Sequence, residues 1–111
     1  MKKKTFYMMD AVKEFMRFQS GEVKKELNSI IFRLERDGIL EMPYGEKLTG
    51  ENLFAIRVIQ AGNIRVFYVY GHGDRIYGIH GYEKKTQQIP ERELDQARRT
   101  LKVLRQKGAI K

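Results

Sequence analysis

The sequence contains no cysteine and no tryptophan among its 111 residues, and only two prolines. Without cysteine the chain has no disulfide, no thiol nucleophile and no cysteine-ligated zinc or iron–sulfur site. No apolar run approaches the roughly 18 residues that a membrane span requires. Lys2, Lys3 and Lys4 are not followed by an apolar stretch. We therefore expect no signal peptide, no membrane partner and a cytoplasmic location.

Several catalytic signatures are also missing. The chain has no Walker loop, no GxGxxG fingerprint, no Ser-His-Asp order and no paired-carboxylate motif. Its two histidines, His72 and His80, do not stand in a metal-ligand pattern. We therefore expect no metal and no small-molecule cofactor, and the sequence gives no support for a nucleotide hydrolase or a glycosidase.

Positive charge is abundant, and its position is informative. The net charge is +8, yet residues 5–82 hold 10 basic and 10 acidic side chains. Residues 83–111 hold 9 basic and 4 acidic side chains, so the excess lies at the two ends of the chain. Such a segment attracts polyanions such as RNA or DNA, although a solubilising surface has the same composition.

Hydrophobic patterning predicts one α+β domain spanning residues 1–111. Asp10 and Ser20 are expected to cap two consecutive helices, and Gly38 to end the second. The predicted order is β-α-α-β-β-β-α, with an antiparallel sheet packed on a helical hairpin and a C-terminal helix. The predicted segments are a strand at 4–9, helices at 10–18 and 20–38, strands at 53–59, 64–70 and 75–81, and a helix from Pro90 to Gly108.

Two arginines occupy matching positions in the first two strands of the predicted meander. Strand alternation places Arg57 on the face opposite Ile56, and Arg65 on the face opposite Val66. If the helical hairpin covers the apolar face, both arginines share the other one. A pair of guanidinium groups there could clamp a phosphate, or each could simply pair with a carboxylate.

A polar segment follows these strands. His80 is predicted to end the third strand, where an imidazole could act as a general base or acid. Beyond it, Lys84, Lys85 and Gln87 could hold a phosphate backbone while Tyr82 stacks on a base. The alternatives are an exposed histidine and an ordinary basic loop. Lys47, ahead of the first meander strand, could add another cation.

Three groups of short motifs stand in order along the second half of the chain. They are Lys47-Leu48-Thr49-Gly50 with Leu53-Phe54-x-Ile56-Arg57, then Ile64-Arg65-Val66-Phe67-Tyr68, then His80-Gly81-Tyr82-x-Lys84-Lys85-Thr86-Gln87 with Pro90, Glu93 and Ala97. Together they resemble the phage-derived Gp49-like toxins of the RelE/HigB/ParE superfamily. The resemblance covers about residues 45–98.

The resemblance implies a RelE-like fold and a toxin that cuts mRNA on the ribosome without a metal. The RNA 2′-hydroxyl attacks the adjacent phosphate and leaves a 2′,3′-cyclic phosphate. By the same resemblance Arg65 contacts the scissile phosphate, Arg57 is a second basic position, and His80 matches the histidine of a His-Gly-aromatic pattern. Lys84 and Lys85 match basic positions after the third strand. We expect His80 or Lys84 to move the proton. The expected partner is a helix-turn-helix antitoxin.

Two other functions remain open at this point. A toxin of the same superfamily can poison DNA gyrase and leave mRNA intact, and this chain lacks a tyrosine after Tyr82, a position used by well-known ribonucleases of the superfamily. A nonenzymatic phage-derived nucleic-acid-binding protein would bind in a salt-sensitive way without cleavage or toxicity.

Overall fold

The computed structural model describes residues 3–111, so Lys2 lies outside the described residues. Three helices and five strands follow one another along these described residues. They are β1 (Thr5–Met8), α1 (Asp10–Arg17), α2 (Gly21–Asp37), β2 (Gly45–Lys47), β3 (Phe54–Val58), β4 (Ile64–Tyr70), β5 (Arg75–Glu83) and α3 (Glu91–Gln106). The predicted segments are confirmed, and β2 is an additional strand.

The five strands form one mixed sheet in the order β1-β5-β4-β3-β2. The meander β3-β4-β5 is antiparallel as predicted, but β1 pairs with β5 in parallel. The prediction of a wholly antiparallel sheet was therefore wrong. The β propensity of its residues predicts that β1 is a strand. It does not predict that β1 pairs with β5, the last strand in the sequence. The short β2 was missed because its residues lie in a turn-rich segment.

The ends of the helices follow their local chemistry. The hydroxyl of Ser20 accepts a hydrogen bond of 3.1 Å from the backbone N–H of Val23, and so caps α2 as predicted. Gly38 ends that helix in the left-handed conformation, with φ of 80°. Asp10 differs from the prediction because it is the first helical residue, and Met9 precedes it without a side-chain cap.

The sheet separates two apolar clusters. On one face, α1 and α2 pack with inward residues of β3, β4 and β5. On the other face, α3 packs through Ala97, Leu101 and Leu104 against the opposite side of the same strands. This layering confirms the predicted alternation, because Ile56 and Val66 lie on the hairpin side. The face that carries the two arginines is therefore the α3 face.

Within residues 3–111, no helix combines the length and the apolar character that crossing a membrane demands. The same part of the chain also has no group of three histidine or acidic side chains placed to hold a metal ion.

Candidate functional site

The two arginines are direct neighbours across the sheet. Arg57 on β3 lies opposite Arg65 on β4, and Arg65 lies opposite Tyr82 on β5. One row of the α3 face therefore carries two guanidinium groups and a phenol. The next row pairs Phe67 with His80. These four polar and aromatic side chains, Arg57, Arg65, His80 and Tyr82, are called the arginine cluster below.

Arg65 is the inner cation of the cluster and only 4% exposed. Its Nη1 donates to the side-chain oxygen of Asn63 and to the carbonyl of Ile64, each at 3.1 Å. Burial lowers the pKa of Arg65, and the nearby charge of Arg57 lowers it further. The guanidinium nevertheless remains charged, because arginine titrates far above neutral pH. The cluster thus holds a poorly solvated positive charge.

Arg57 is the outer, half-buried cation. Its Nη1 donates to the carbonyl of Pro43 at 3.1 Å, and its Nε is buried without a hydrogen-bond partner among residues 3–111. Glu46, on β2, lies opposite Ala55 and so shares this face of the sheet, and its charge raises the pKa of Arg65 slightly against the effect of burial. No carboxylate within that described range forms an ion pair with Arg57 or Arg65. Neither arginine therefore has an ion-pair partner among the described residues.

A β-bulge aims the β5 side chains at this cluster. The pairing with β4 shifts between Phe67 and Tyr68, because Ile79 is an extra residue between Gly78 and His80. Regular alternation would place His80 on the same side as Ile76, toward the helical hairpin. The bulge instead leaves it on the α3 face, which is a common use of bulges beside functional sites.

His80 is held in place by a carboxylate from α3. Its Nε2 lies 2.7 Å from Oε1 of Glu93, and both side chains are largely buried. The imidazole ring also packs beside the rings of Phe67 and Tyr82. His80 was predicted at the end of its strand, but β5 continues to Glu83. It is therefore an ordered, internal strand residue.

Tyr82 differs from its predicted role. The side chain is 5% exposed, so in this structure its ring offers no face for stacking on a base. Its hydroxyl is buried and has no hydrogen-bond partner among the described residues. Burial raises the pKa of Tyr82 to about 12, although the charge of Arg65 acts in the opposite direction. The hydroxyl accordingly stays protonated at neutral pH.

Asn63 connects the arginine cluster to the basic segment after β5. Its side-chain amide donates to the carbonyl of Lys84 at 2.8 Å, while the backbone N–H of Lys84 donates to the carbonyl of Asn63 at 2.8 Å. The same side chain accepts from Arg65. Lys84 thus begins beside the cluster, and Lys85 and Gln87 are exposed further along the segment.

Lys47 is not brought to the arginine cluster. It lies opposite Phe54, and its Nζ is 5.3 Å from the centre of that ring, on the hairpin side of the sheet. The neighbouring Glu46, and not Lys47, lies on the α3 face, so the cation that Lys47 was expected to add is absent from the arginine cluster. Because β2 was not predicted, its alternation could not be used.

An ion-pair network fixes α3 over the site. Nη2 of Arg98 lies 2.6 Å from a carboxylate oxygen of Glu51, which joins α3 to the loop before β3. Glu91 and Asp95 accept from the same guanidinium at 3.2 and 2.9 Å. The hydrogen bonds to Glu51, Glu91 and Asp95 raise the pKa of Arg98. The helix that supplies Glu93 is therefore anchored independently of His80.

Sequence reasoning assigned no role to Asn63, Glu46 or Glu93. Asn63 falls between two predicted strands, in a Gly-Asn pair typical of a turn, and Glu93 is one position of the third motif group. Only the register of the sheet and the packing of α3 bring these side chains to the site.

A mixed five-stranded sheet lies between a helical hairpin and a third helix, and two arginines on one face form no ion pair among residues 3–111. This arrangement defines an α+β protein compatible with the RelE-like fold. The family model for Phage derived protein Gp49-like (DUF891) matches residues 13–102. The chain belongs to this Gp49-like family, which is a HigB/RelE-like toxin family. The family belongs to toxin–antitoxin systems, which implies an antitoxin partner. No curated protein is significantly similar to the chain.

Proposed function

We propose that this protein is a ribosome-dependent mRNA endoribonuclease, the toxin of a type II toxin–antitoxin pair. The observation that carries the proposal is the pair of adjacent arginines, Arg57 and Arg65, without a carboxylate partner in the described chain. Two like charges held side by side favour an anion between or above them. An RNA phosphodiester has the charge and the geometry for a guanidinium pair.

The reaction is an internal transesterification. The 2′-oxygen bonds to the adjacent phosphorus, the bond from phosphorus to the 5′-oxygen breaks, and the products are a 2′,3′-cyclic phosphate and a 5′-hydroxyl. The proton of the 2′-hydroxyl passes to a base, and an acid or water supplies a proton to the leaving oxygen. No oxidant, reductant or other co-reactant is required.

The arginines stabilise the extra negative charge of the pentacoordinate phosphorus. Arg57 is the more exposed and meets the phosphate first, whereas Arg65 acts from a less polar position where its charge is weakly screened. A donor in direct contact with the reacting oxygens contributes roughly 3–4 kcal/mol to transition-state binding. Arg57 can make such a contact, whereas Arg65 is 4% exposed in this structure and acts through the field of its charge, without the direct contact that the resemblance implies. His80 or Lys84 moves the proton, and Lys85 and Gln87 hold the RNA backbone. Lys47 contributes only at a distance, from the other side of the sheet.

Inducible expression of the chain alone in bacteria, followed by primer extension on an abundant mRNA, tests this proposal. Wild type is expected to arrest growth and produce discrete cuts in translated regions, and coexpression of a helix-turn-helix antitoxin to relieve the arrest. Arg65→Ala and Arg57→Ala are expected to abolish both effects. Arg75→Ala, which removes an exposed arginine at the far end of β5, is the matched control and should remain toxic.

Because Arg65 is buried, the abundance and melting temperature of each variant are compared with those of wild type. Equal toxicity of a folded Arg65→Ala variant would contradict its catalytic role. Growth arrest with intact mRNA and DNA breaks would indicate gyrase poisoning instead. Abundant, folded wild-type protein with no arrest would indicate a nonenzymatic nucleic-acid-binding protein.

A further inference from the structure

The contact between His80 and Glu93 has the geometry of an orienting hydrogen bond. Oε1 of Glu93 lies 2.7 Å from Nε2 of His80, and the two side chains are 15% and 17% exposed. A carboxylate can only accept, so the shared proton belongs to Nε2. In the neutral imidazole the other nitrogen, Nδ1, then carries the lone pair.

Nδ1 of His80 forms no contact with a protein donor or acceptor among the described residues that would occupy it. Within residues 3–111 it has no hydrogen-bond partner, and it is not among the buried polar atoms that lack one. It therefore keeps contact with solvent. The ring cannot turn freely, because Phe67 and Tyr82 pack beside it with ring centres 6.0 and 6.2 Å away. Glu93 and these two rings together define one orientation.

The anchoring of α3 does not depend on this contact. Arg98 binds Glu51, and the apolar stripe that includes Ala97 and Leu101 packs on the sheet. A carboxylate at the first turn of α3 could point into solvent without loss of these contacts. Glu93 instead reaches the one histidine of the arginine cluster.

We propose that Glu93 is a positioning residue, which holds the proton on Nε2 of His80 and so presents Nδ1 as the base for the RNA 2′-hydroxyl. This inference rests on the proposed ribonuclease function for its chemical consequence. During the reaction Nδ1 accepts the 2′-hydroxyl proton as the bond from the 2′-oxygen to phosphorus forms. The carboxylate of Glu93 then stabilises the resulting imidazolium, and the leaving 5′-oxygen takes a proton from Lys84 or water.

The first arm of the test is spectroscopic and needs no RNA. Proton and nitrogen NMR of the full chain, with the imidazole nitrogens labelled, is expected to show a downfield, slowly exchanging proton on Nε2 of His80. Glu93→Met keeps the length and helix preference of the side chain and should abolish that signal. Glu93→Gln keeps an acceptor without the charge and should restore it. Glu91→Gln alters the other first-turn carboxylate of α3, which contacts Arg98 and not His80, and should leave the signal unchanged.

The second arm measures mRNA cleavage on programmed ribosomes. Glu93→Met is expected to lower kcat about 10- to 100-fold with little change in KM, as part of the ~10²–10⁴-fold contribution of a general base. Glu93→Gln should recover part of the rate. In a His80→Gln background, Glu93→Met should cost nothing more, because the two residues act as a unit.

The two arms separate the possible failures. A wild-type signal on Nδ1, or a signal that survives Glu93→Met, would overturn the positioning role. Additive losses in the double variant would also overturn it, because they would show that Glu93 acts independently of His80. A wild-type protein that shows the expected signal but cleaves no mRNA would instead contradict the ribonuclease function, and the orienting contact would stand.

Discussion

Arg57 and Arg65 lie directly opposite each other on adjacent strands, and their side chains share the α3 face of the sheet. Like charges in this cross-strand position destabilise a sheet, and the burial of Arg65 adds a desolvation cost. No carboxylate in the described chain offsets the repulsion or the desolvation by forming an ion pair with either arginine. Such an arrangement is typical of a site that binds an anion, since the ligand supplies the missing charge.

Replacing Arg57 should raise stability and lower RNA affinity. Arg57→Gln removes the repulsion but also the exposed hydrogen bond to the carbonyl of Pro43, which the shorter amide replaces only in part. We therefore expect the free energy of unfolding to increase by no more than about 0.5 kcal/mol. RNA binding should weaken. The slope of the logarithm of the binding constant against the logarithm of the salt concentration should become shallower by about one, because one cation fewer contacts the phosphates. Urea unfolding and binding across a salt series measure the two effects. Arg75→Gln is the charge-matched control; a less stable Arg57→Gln with unchanged RNA affinity would show that the arginine is structural.

Asn63 is expected to couple the position of Lys84 to that of Arg65. Asn63→Ala removes one acceptor of Arg65 and one donor to the carbonyl of Lys84, so stability should fall by about 1–2 kcal/mol. mRNA cleavage should fall as well, because both cations lose a fixed position. Thermal unfolding and primer extension provide the measurements. Asn52→Ala, at an exposed loop position, should change neither quantity.

Local patterns predicted the parts of the fold that depend on periodicity and capping. Alternation in the central strands placed Arg57 and Arg65 on one face correctly, because apolar residues fill the other face. Ser20 and Gly38 gave the bounds of α2, because each satisfies the backbone at a helix end through its own chemistry. These features depend only on residues that are close together in the sequence.

The features of the fold and site that were not predicted depend on pairing between residues far apart in the sequence. The extra residue Ile79 changes the side of the sheet on which His80 and Tyr82 lie, and alternation cannot locate such a bulge. The parallel pairing of β1 and the presence of β2 depend on neighbours far away in the sequence. For the same reason the exposure expected for the Tyr82 ring was wrong. Once α3 packs on this face, the ring is part of the core.

Two tyrosines on opposite faces should respond differently to removal of the hydroxyl. Tyr82→Phe removes a buried hydroxyl without a partner in the described chain, so stability should be unchanged or rise by up to ~1 kcal/mol. Tyr70→Phe removes a hydroxyl that donates to the carbonyl of Gly38 at 2.8 Å, and should cost about 1 kcal/mol. Urea midpoints compare the pair directly. A destabilised Tyr82→Phe would reveal a hydrogen bond that the hydroxyl makes in solution.

The turn between β3 and β4 should give stability a specific acid dependence through Glu26. Its carboxylate accepts from the backbone N–H groups of Ile59, Gln60 and Ala61 at 3.0, 3.1 and 2.7 Å. Burial alone would raise the pKa of Glu26, but the three hydrogen bonds outweigh it and hold the pKa below its ordinary value of 4.5. The stabilisation is therefore complete above the unfolded pKa and is lost as pH falls through the lower folded pKa.

Glu26→Gln isolates this contribution. At neutral pH the variant should be less stable than wild type by roughly 1 kcal/mol, because an uncharged amide oxygen accepts the three N–H groups more weakly. Below pH 4.5 the difference should shrink, since wild type then loses the charge that distinguishes it from the variant. The other acidic groups titrate in both proteins, so their contributions cancel in the difference between the two free energies of unfolding. Urea unfolding at several pH values measures the difference, and Glu41→Gln, at an exposed position, serves as the control. A gap between wild type and Glu26→Gln that stays constant down to about pH 3 would mean that the carboxylate charge does not stabilise this turn.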